Sequence, residues 1–204
     1  MAPLLPLRHG PTLCKDRHTR GIDVSAASPV TPLPEGTLAH RAEGESLPGI
    51  GCAVVTVSDS RTVTTDESGA LLQLLLTASG HRVVDHALLR NDEDAVRTHV
   101  RMLIGRADVD AVFLTGGTGL GSRDRTVEAV RPLLDKELPG FGELFRMVSF
   151  QEQVGAAAML SRAVAGGVNG RLVVSMPGSK AAVELALTRI LLPELRHAIR
   201  ELRR

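Results

Sequence analysis

The feature that most constrains this chain is a strand, a glycine-rich turn and a helix in immediate succession. Asp110-Ala111-Val112-Phe113-Leu114 is a short apolar run of the kind that forms a buried strand. Thr115-Gly116-Gly117-Thr118-Gly119-Leu120-Gly121-Ser122-Arg123-Asp124 follows, and Thr126 to Arg131 then reads as a helix start. Glycine tolerates positive φ and lets the backbone approach a ligand closely. A helix start adds unpaired N–H groups and the positive end of its dipole. The unit therefore suits an anion. Asp124 conflicts with that reading, because a carboxylate repels a phosphate unless a divalent cation lies between them. The same stretch also reads as a plain tight turn, so other residues have to decide.

Two familiar motifs fit this stretch incompletely. Gly116 and Gly121 have the spacing of a Walker A loop, but Ser122-Arg123 stand where its lysine and hydroxyl residue belong. Gly117 and Gly119 begin a dinucleotide fingerprint whose third glycine is replaced by Ser122. Its ribose-binding acid falls on Asp135 or Glu137, in a segment that reads helical with no second strand.

Around this unit the chain alternates strand and helix. Ile50 to Val57 is a continuous apolar run, expected to be a strand buried on both faces. Ser58-Asp59-Ser60-Arg61 leaves its end. Asp66 caps a helix through Leu71, Leu72, Leu74 and Leu75, closed by Gly80. Val83 to Leu89 is a second strand, left by Arg90-Asn91-Asp92, and a helix through Val96, Val100 and Leu103-Ile104 leads to the strand at Asp110. Pro139 opens a helix whose Phe141, Phe145 and Val148 share one face. Ala156 to Ala165 reads as a small-residue helix and Gly166 to Gly170 as a turn. Leu172 to Met176 is a further buried strand, ending in Pro177-Gly178-Ser179 and a long helix to the C-terminus. The rhythm predicts an α/β fold with a mostly parallel sheet covered on both faces.

Composition narrows the function. Of 204 residues, 43% are hydrophobic but only 2% aromatic, so the core is aliphatic and base-stacking surfaces for single-stranded nucleic acid are lacking. A net charge of +1 gives no global field toward nucleic acid or an anionic membrane. Two cysteines, Cys14 and Cys52, show neither pairing nor metal spacing. No run approaches the roughly 18 apolar residues of a membrane span, and residues 1 to 20 lack a signal-peptide centre. A cytoplasmic protein is expected. Residues 1–48 hold seven of the eleven prolines, namely Pro3, Pro6, Pro11, Pro29, Pro32, Pro34 and Pro48, and no sustained apolar period. They read as a flexible extension ahead of a domain over 49–204.

In a parallel sheet the groups at the strand ends share one edge. That edge gathers Asp59, Asp92, the glycine loop with Asp124, and Ser179. Asp92 and Asp124 suit a shared Mg²⁺, which takes one or two carboxylates plus phosphate oxygens. Asp92 reads equally as a helix N-cap worth about 1 kcal/mol, Asp59 as a turn residue, and Asp66 and Ser179 as caps.

Thr115-Gly-Gly-Thr-Gly119, Arg123-Asp124, Pro139-Gly-Phe-Gly-Glu143, Leu160-Ser-Arg162 and Met176-Pro-Gly-Ser179, in this order, resemble the MoaB/Mog family of molybdenum-cofactor biosynthesis proteins. The resemblance covers about residues 49 to 193. It implies a three-layer α/β/α sandwich assembled as trimers or hexamers. It further implies transfer of AMP from Mg-ATP to the terminal phosphate of molybdopterin, releasing pyrophosphate. On that basis Asp92 and Asp124 hold Mg²⁺ and serve catalysis. Thr115, Gly116, Gly117, Thr118 and Gly119 bind the pterin's phosphate or dithiolene end, and Asp59, Asp66 and Ser179 line the same pocket. Thr126-Val127-Glu128 lacks the proline that many members carry after the loop acid. Phe150-Gln151-Glu152 and Met176-Pro-Gly-Ser179 resemble the MoaB branch, which implies a non-catalytic pterin carrier as the alternative.

Overall fold

Gly51 to Val57 is buried at every position because both faces of its strand are covered. The computed structural model describes residues 49–204; the expected extension over 1–48, with Cys14, lies outside them. Six strands form one sheet in the order β2-β1-β3-β6-β5-β4. They are β1 (Gly51–Val57), β2 (Arg82–Leu89), β3 (Ala111–Thr115), β4 (Lys136–Glu137), β5 (Val164–Val168) and β6 (Arg171–Met176). β1, β2, β3 and β6 run parallel, with Val54 paired to Phe113 and Phe113 to Val174. β5 is antiparallel to β6 and to β4.

The helices are α1 (Glu67–Ala78), α2 (Glu93–Ile104), α3 (Thr126–Val130), α4 (Pro139–Ser149), α5 (Lys180–Leu185) and α6 (Leu192–Leu202), with a π-helical segment Ala186–Leu191 joining the last two. Alternate strand residues face opposite ways. Cys52, Val54 and Phe113 pack with Leu72, Leu76, Phe145, Val183 and Ile199 from α1, α4, α5 and α6. Ala53, Val55 and Leu114 pack with Val96, Val100, Leu103 and Val130 from α2 and α3. Helices on both faces of a mostly parallel sheet make the expected three-layer α/β/α sandwich.

Two local expectations are corrected. Residues Ala156 to Ala165 are not a helix: Gly155–Leu160 is a 3₁₀ segment and Val164–Val168 is a strand, with only Asn169-Gly170 turning toward β6. Alanine and glycine mask a strand in sequence, yet here small size is the requirement. A side chain at Gly166 would meet the Leu134 side chain at 2.8 Å, and one at Gly167 would collide with Leu202. The stretch between α3 and α4 also contains the short strand β4, at Lys136–Glu137, in place of continuous helix. Among the described residues no helix is long and apolar enough to cross a membrane.

Candidate functional site: an anion-binding cleft

β1 leads by way of α1 to β2 on one side, and β3 lies on the other side of β1. The loops after β1 and β3 therefore diverge, and an open α/β sheet forms a crevice outside the carboxyl ends at such a point. A cleft of about 500 Å³ lies there, lined by residues 57–61, Asn91, the glycine loop from Gly116 to Gly119, Asp124, Leu160-Ser161 and Pro177-Gly178.

The loop is held open by its glycines. Gly116 and Gly117 adopt φ of +99° and +63°, the left-handed region that side chains disfavour. A Cβ on Gly117 would lie 2.5 Å from Asn91 Oδ1 and collide with Thr126 Oγ1. The Gly116 N–H donates to the Met176 carbonyl (3.0 Å), and the Thr126 N–H donates to the Gly117 carbonyl (2.9 Å). In a trans peptide the N–H points opposite to the preceding C=O, so the Thr118 N–H faces away from Thr126. Among the described residues the amides of Gly117, Thr118 and Gly119 find no acceptor. Successive free amides in a turn of this kind make a concavity for an anion.

Asp124 closes the loop. Its Oδ2 accepts the Gly121 N–H at 3.0 Å, and its own N–H donates to the Gly121 carbonyl at 3.0 Å. A Cβ on Gly119 or Gly121 would lie 2.7 Å from that same Oδ2. Oδ1 remains available on the cleft wall.

Arg61 is the cation of the cleft lining. Its Nη2 donates to the Gly178 carbonyl at 2.7 Å, and its Nη1 donates to Ser68 and lies 3.4 Å from Asp66 Oδ1. Asp66 is 3% exposed and caps α1 by accepting the Gly69 N–H at 3.0 Å. Burial pushes its pKa up, but the Thr56 and Ser68 hydroxyls, the Gly69 amide and the Arg61 charge outweigh that and leave it below the ordinary carboxylate value. Asp59 accepts the Asn91 N–H at 3.0 Å and lies 3.4 Å from Arg123 Nη1. The Asn91 hydrogen bond, helped by Arg123 and Arg90, holds the Asp59 carboxyl below its usual range.

The structure thus brings Asp59, Gly116, Gly117, Thr118, Gly119 and Asp124 together on one cleft. It places the other predicted site residues elsewhere. Thr115 is fully buried, its hydroxyl donating to the Pro177 carbonyl at 3.2 Å, so it ties β3 to the β6 loop beneath the floor. Asp66 stands behind Arg61. Ser179 caps α5, accepting the Ala182 N–H at 3.2 Å. Asp92 caps α2, accepting the Ala95 N–H at 2.8 Å, and is absent from the cleft lining that includes its neighbour Asn91. Among the described residues no three acidic, histidine or cysteine side chains cluster to hold a metal unaided. The donor set still fits Mg²⁺, since Asp124 Oδ1 is free beside amides suited to phosphate, and this ion completes its shell with phosphate oxygens and water. Sequence reasoning placed Arg61 at a strand end without assigning it a role; its position after an aspartate on a β1 exit loop was the available signal.

Fold and cleft define an open α/β protein with an amide-lined cleft at the carboxyl edge of its sheet. A family described as probable molybdopterin binding domain matches residues 53–197. Molybdenum cofactor biosynthesis protein B of Halalkalibacterium halodurans is 50% identical over 163 residues, spanning 80% of this chain and 95% of that relative. A crystal structure of a molybdenum cofactor biosynthesis protein B superposes with a TM-score of 0.74 at 48% identity, covering 76% of this chain and 96% of the other. The tungsten cofactor synthesizing protein MoaB from Pyrococcus furiosus superposes with a TM-score of 0.70 at 35% identity, covering 78% of this chain and 100% of the other. The chain belongs to the MoaB/Mog family of molybdenum-cofactor biosynthesis proteins.

Proposed function

We propose that the cleft binds molybdopterin by its terminal phosphate and transfers AMP to it from Mg-ATP. The observation that carries this reading is that Gly117, Thr118 and Gly119, whose amides find no acceptor among the described residues, share one cleft lining with Arg61 and Asp124. The amides and the Arg61 guanidinium hold the acceptor phosphate, and that charge-assisted contact favours phosphate over a neutral group. A phosphate oxygen attacks the α-phosphorus of ATP; the bond from that phosphorus to the bridging oxygen breaks, and pyrophosphate leaves. Asp124 would hold Mg²⁺, which would supply charge neutralisation at the transferring phosphoryl group. The protein's own contribution is positioning: a rigid loop, a fixed arginine and an aspartate kept in place by the Gly121 amide.

A second reading has its own support. Asp92 is occupied as a helix cap and stands outside the cleft lining, which leaves Asp124 to hold a metal with Asp59 as the other acid of that lining. A cleft with one committed ligand suits a pterin carrier. Incubating the full chain with molybdopterin and Mg-ATP separates the two. Adenylylated molybdopterin and pyrophosphate support the transferase; bound pterin without product supports the carrier; no pterin binding sinks both. Asp92→Ala refines the test, because a cap loss lowers stability by about 1 kcal/mol without stopping turnover, whereas a metal ligand's loss stops it.

A further inference from the structure

Behind the anion loop, outside the cleft, a neighbouring cavity of about 640 Å³ is lined in part by Glu128, Ser161 and Arg162. Arg162 reaches from the segment before β5 to the back of the loop. Its Nε donates to the Thr118 carbonyl at 3.1 Å and its Nη2 to the Asp124 carbonyl at 2.7 Å. Its other edge meets Glu128 on α3, Nη1 to Oε1 at 2.5 Å and Nη2 to Oε2 at 3.3 Å. Hydrogen bonding from Arg162 holds the Glu128 carboxyl below its usual range. A planar guanidinium fixes both carbonyls at a set spacing, which a single ammonium cannot do.

We infer that Arg162, clamped by Glu128, is the positioning residue that turns the Gly119 amide of the loop into the cleft. With the Thr118 carbonyl held toward Arg162, the Gly119 N–H points the opposite way, and Gly119 is on the cleft wall. Released, that peptide is free to rotate and the anion loses a donor. Arg162 touches no ligand itself. The inference rests on the cleft being a phosphate site, so its test reads the two separately.

The full chain is prepared as wild type, Arg162→Gln, Arg162→Lys and Glu128→Gln, and three quantities are measured: molybdopterin affinity, thermal midpoint, and the amide resonances of Gly117, Thr118 and Gly119 in the free protein. Arg162→Gln is expected to bind roughly tenfold more weakly, as loss of a hydrogen bond to a charged group gives. Arg162→Lys recovers part of the loss, and the Thr118 and Gly119 resonances shift while the rest of the sheet does not. A purely structural staple lowers the midpoint and leaves affinity and loop resonances alone; that result overturns the inference with the cleft intact. If the wild type binds no molybdopterin, the proposed function falls and the resonances decide alone: loop-confined shifts support the positioning role, unchanged ones end it. Should Arg162→Gln fail to fold, Arg162→Lys and Glu128→Gln are judged by the same measurements.

Discussion

At the scale of single residues, the loop depends on side chains that are absent and on one carboxylate that clasps it. Gly117→Ala adds a Cβ where Thr126 and Asn91 already stand, in left-handed backbone. It is expected to cost about 2 kcal/mol or more, read as a lower urea midpoint, with molybdopterin binding lost. Asp124 clasps Gly121 through Oδ2, and in the proposed reaction its Oδ1 holds the cation. Asp124→Asn keeps a carbonyl oxygen for the clasp but no charge. In the proposed reaction it retains pterin binding and loses AMP transfer, whereas Asp124→Ala loses both. Transfer at the normal rate by either variant removes Asp124 from the metal role. Sequence alone identified this aspartate through its conflict with an anion loop; it gave no view of the Gly121 contact, which needs the folded turn.

Between elements, His81 joins the end of α1 to the start of β1. It is 6% exposed, its backbone N–H donates to the Leu76 carbonyl at 3.0 Å, and its Nδ1 accepts the Ile50 N–H at 3.3 Å. Burial, with Arg196 of α6 adding to it, pushes its pKa below the ordinary 6.5. The fold therefore favours the neutral ring, whose Nδ1 can accept the Ile50 N–H. Its contribution is fully present above about 6.5, the unfolded value, and is lost as pH falls from there toward the folded value, because the unfolded chain takes the proton first. Urea midpoints at pH 7.5 and 5.5 are expected to fall for the wild type, with a smaller fall for His81→Gln; equal falls exclude His81. Among elements, β1, β3 and β6 were legible because continuous β-branched runs mark strands covered on both faces. β5 was not, because contact with Leu134 and Leu202 selects glycine there over any strand-forming residue.

For the whole molecule, the outer surface of α4 and the segment after it is unusually apolar. Phe141 and Phe145, expected on one face of this helix, are core residues with ring centroids 6.2 Å apart. Leu144, Met147, Phe150, Val154, Met159 and Leu160 remain exposed, with Met159 at 77% and Phe150 at 58%. A patch of this kind marks an association surface, and we propose a homotrimer or homohexamer. Light scattering at micromolar concentration is expected to give a multiple of the 21.7 kDa chain mass, and Phe150→Asp to shift it downward. A monomeric wild type refutes the assembly.

Read residue by residue, the chain determined its own class: apolar runs alternating with amphipathic ones force a covered parallel sheet, and glycines after a buried strand permit a turn open to anions. Those are local properties, set by side-chain period and backbone sterics. Which acids share the cleft was decided only in three dimensions. Asp92 and Asn91 are neighbours in the chain, yet a helix start draws the first into a cap and leaves the second on the wall. Arg61 and Arg162 acquire their roles from Gly178, Thr118 and Asp124. Such contacts join residues 117, 44 and 38 positions apart, a separation at which no local pattern carries information and only packing of the layers does.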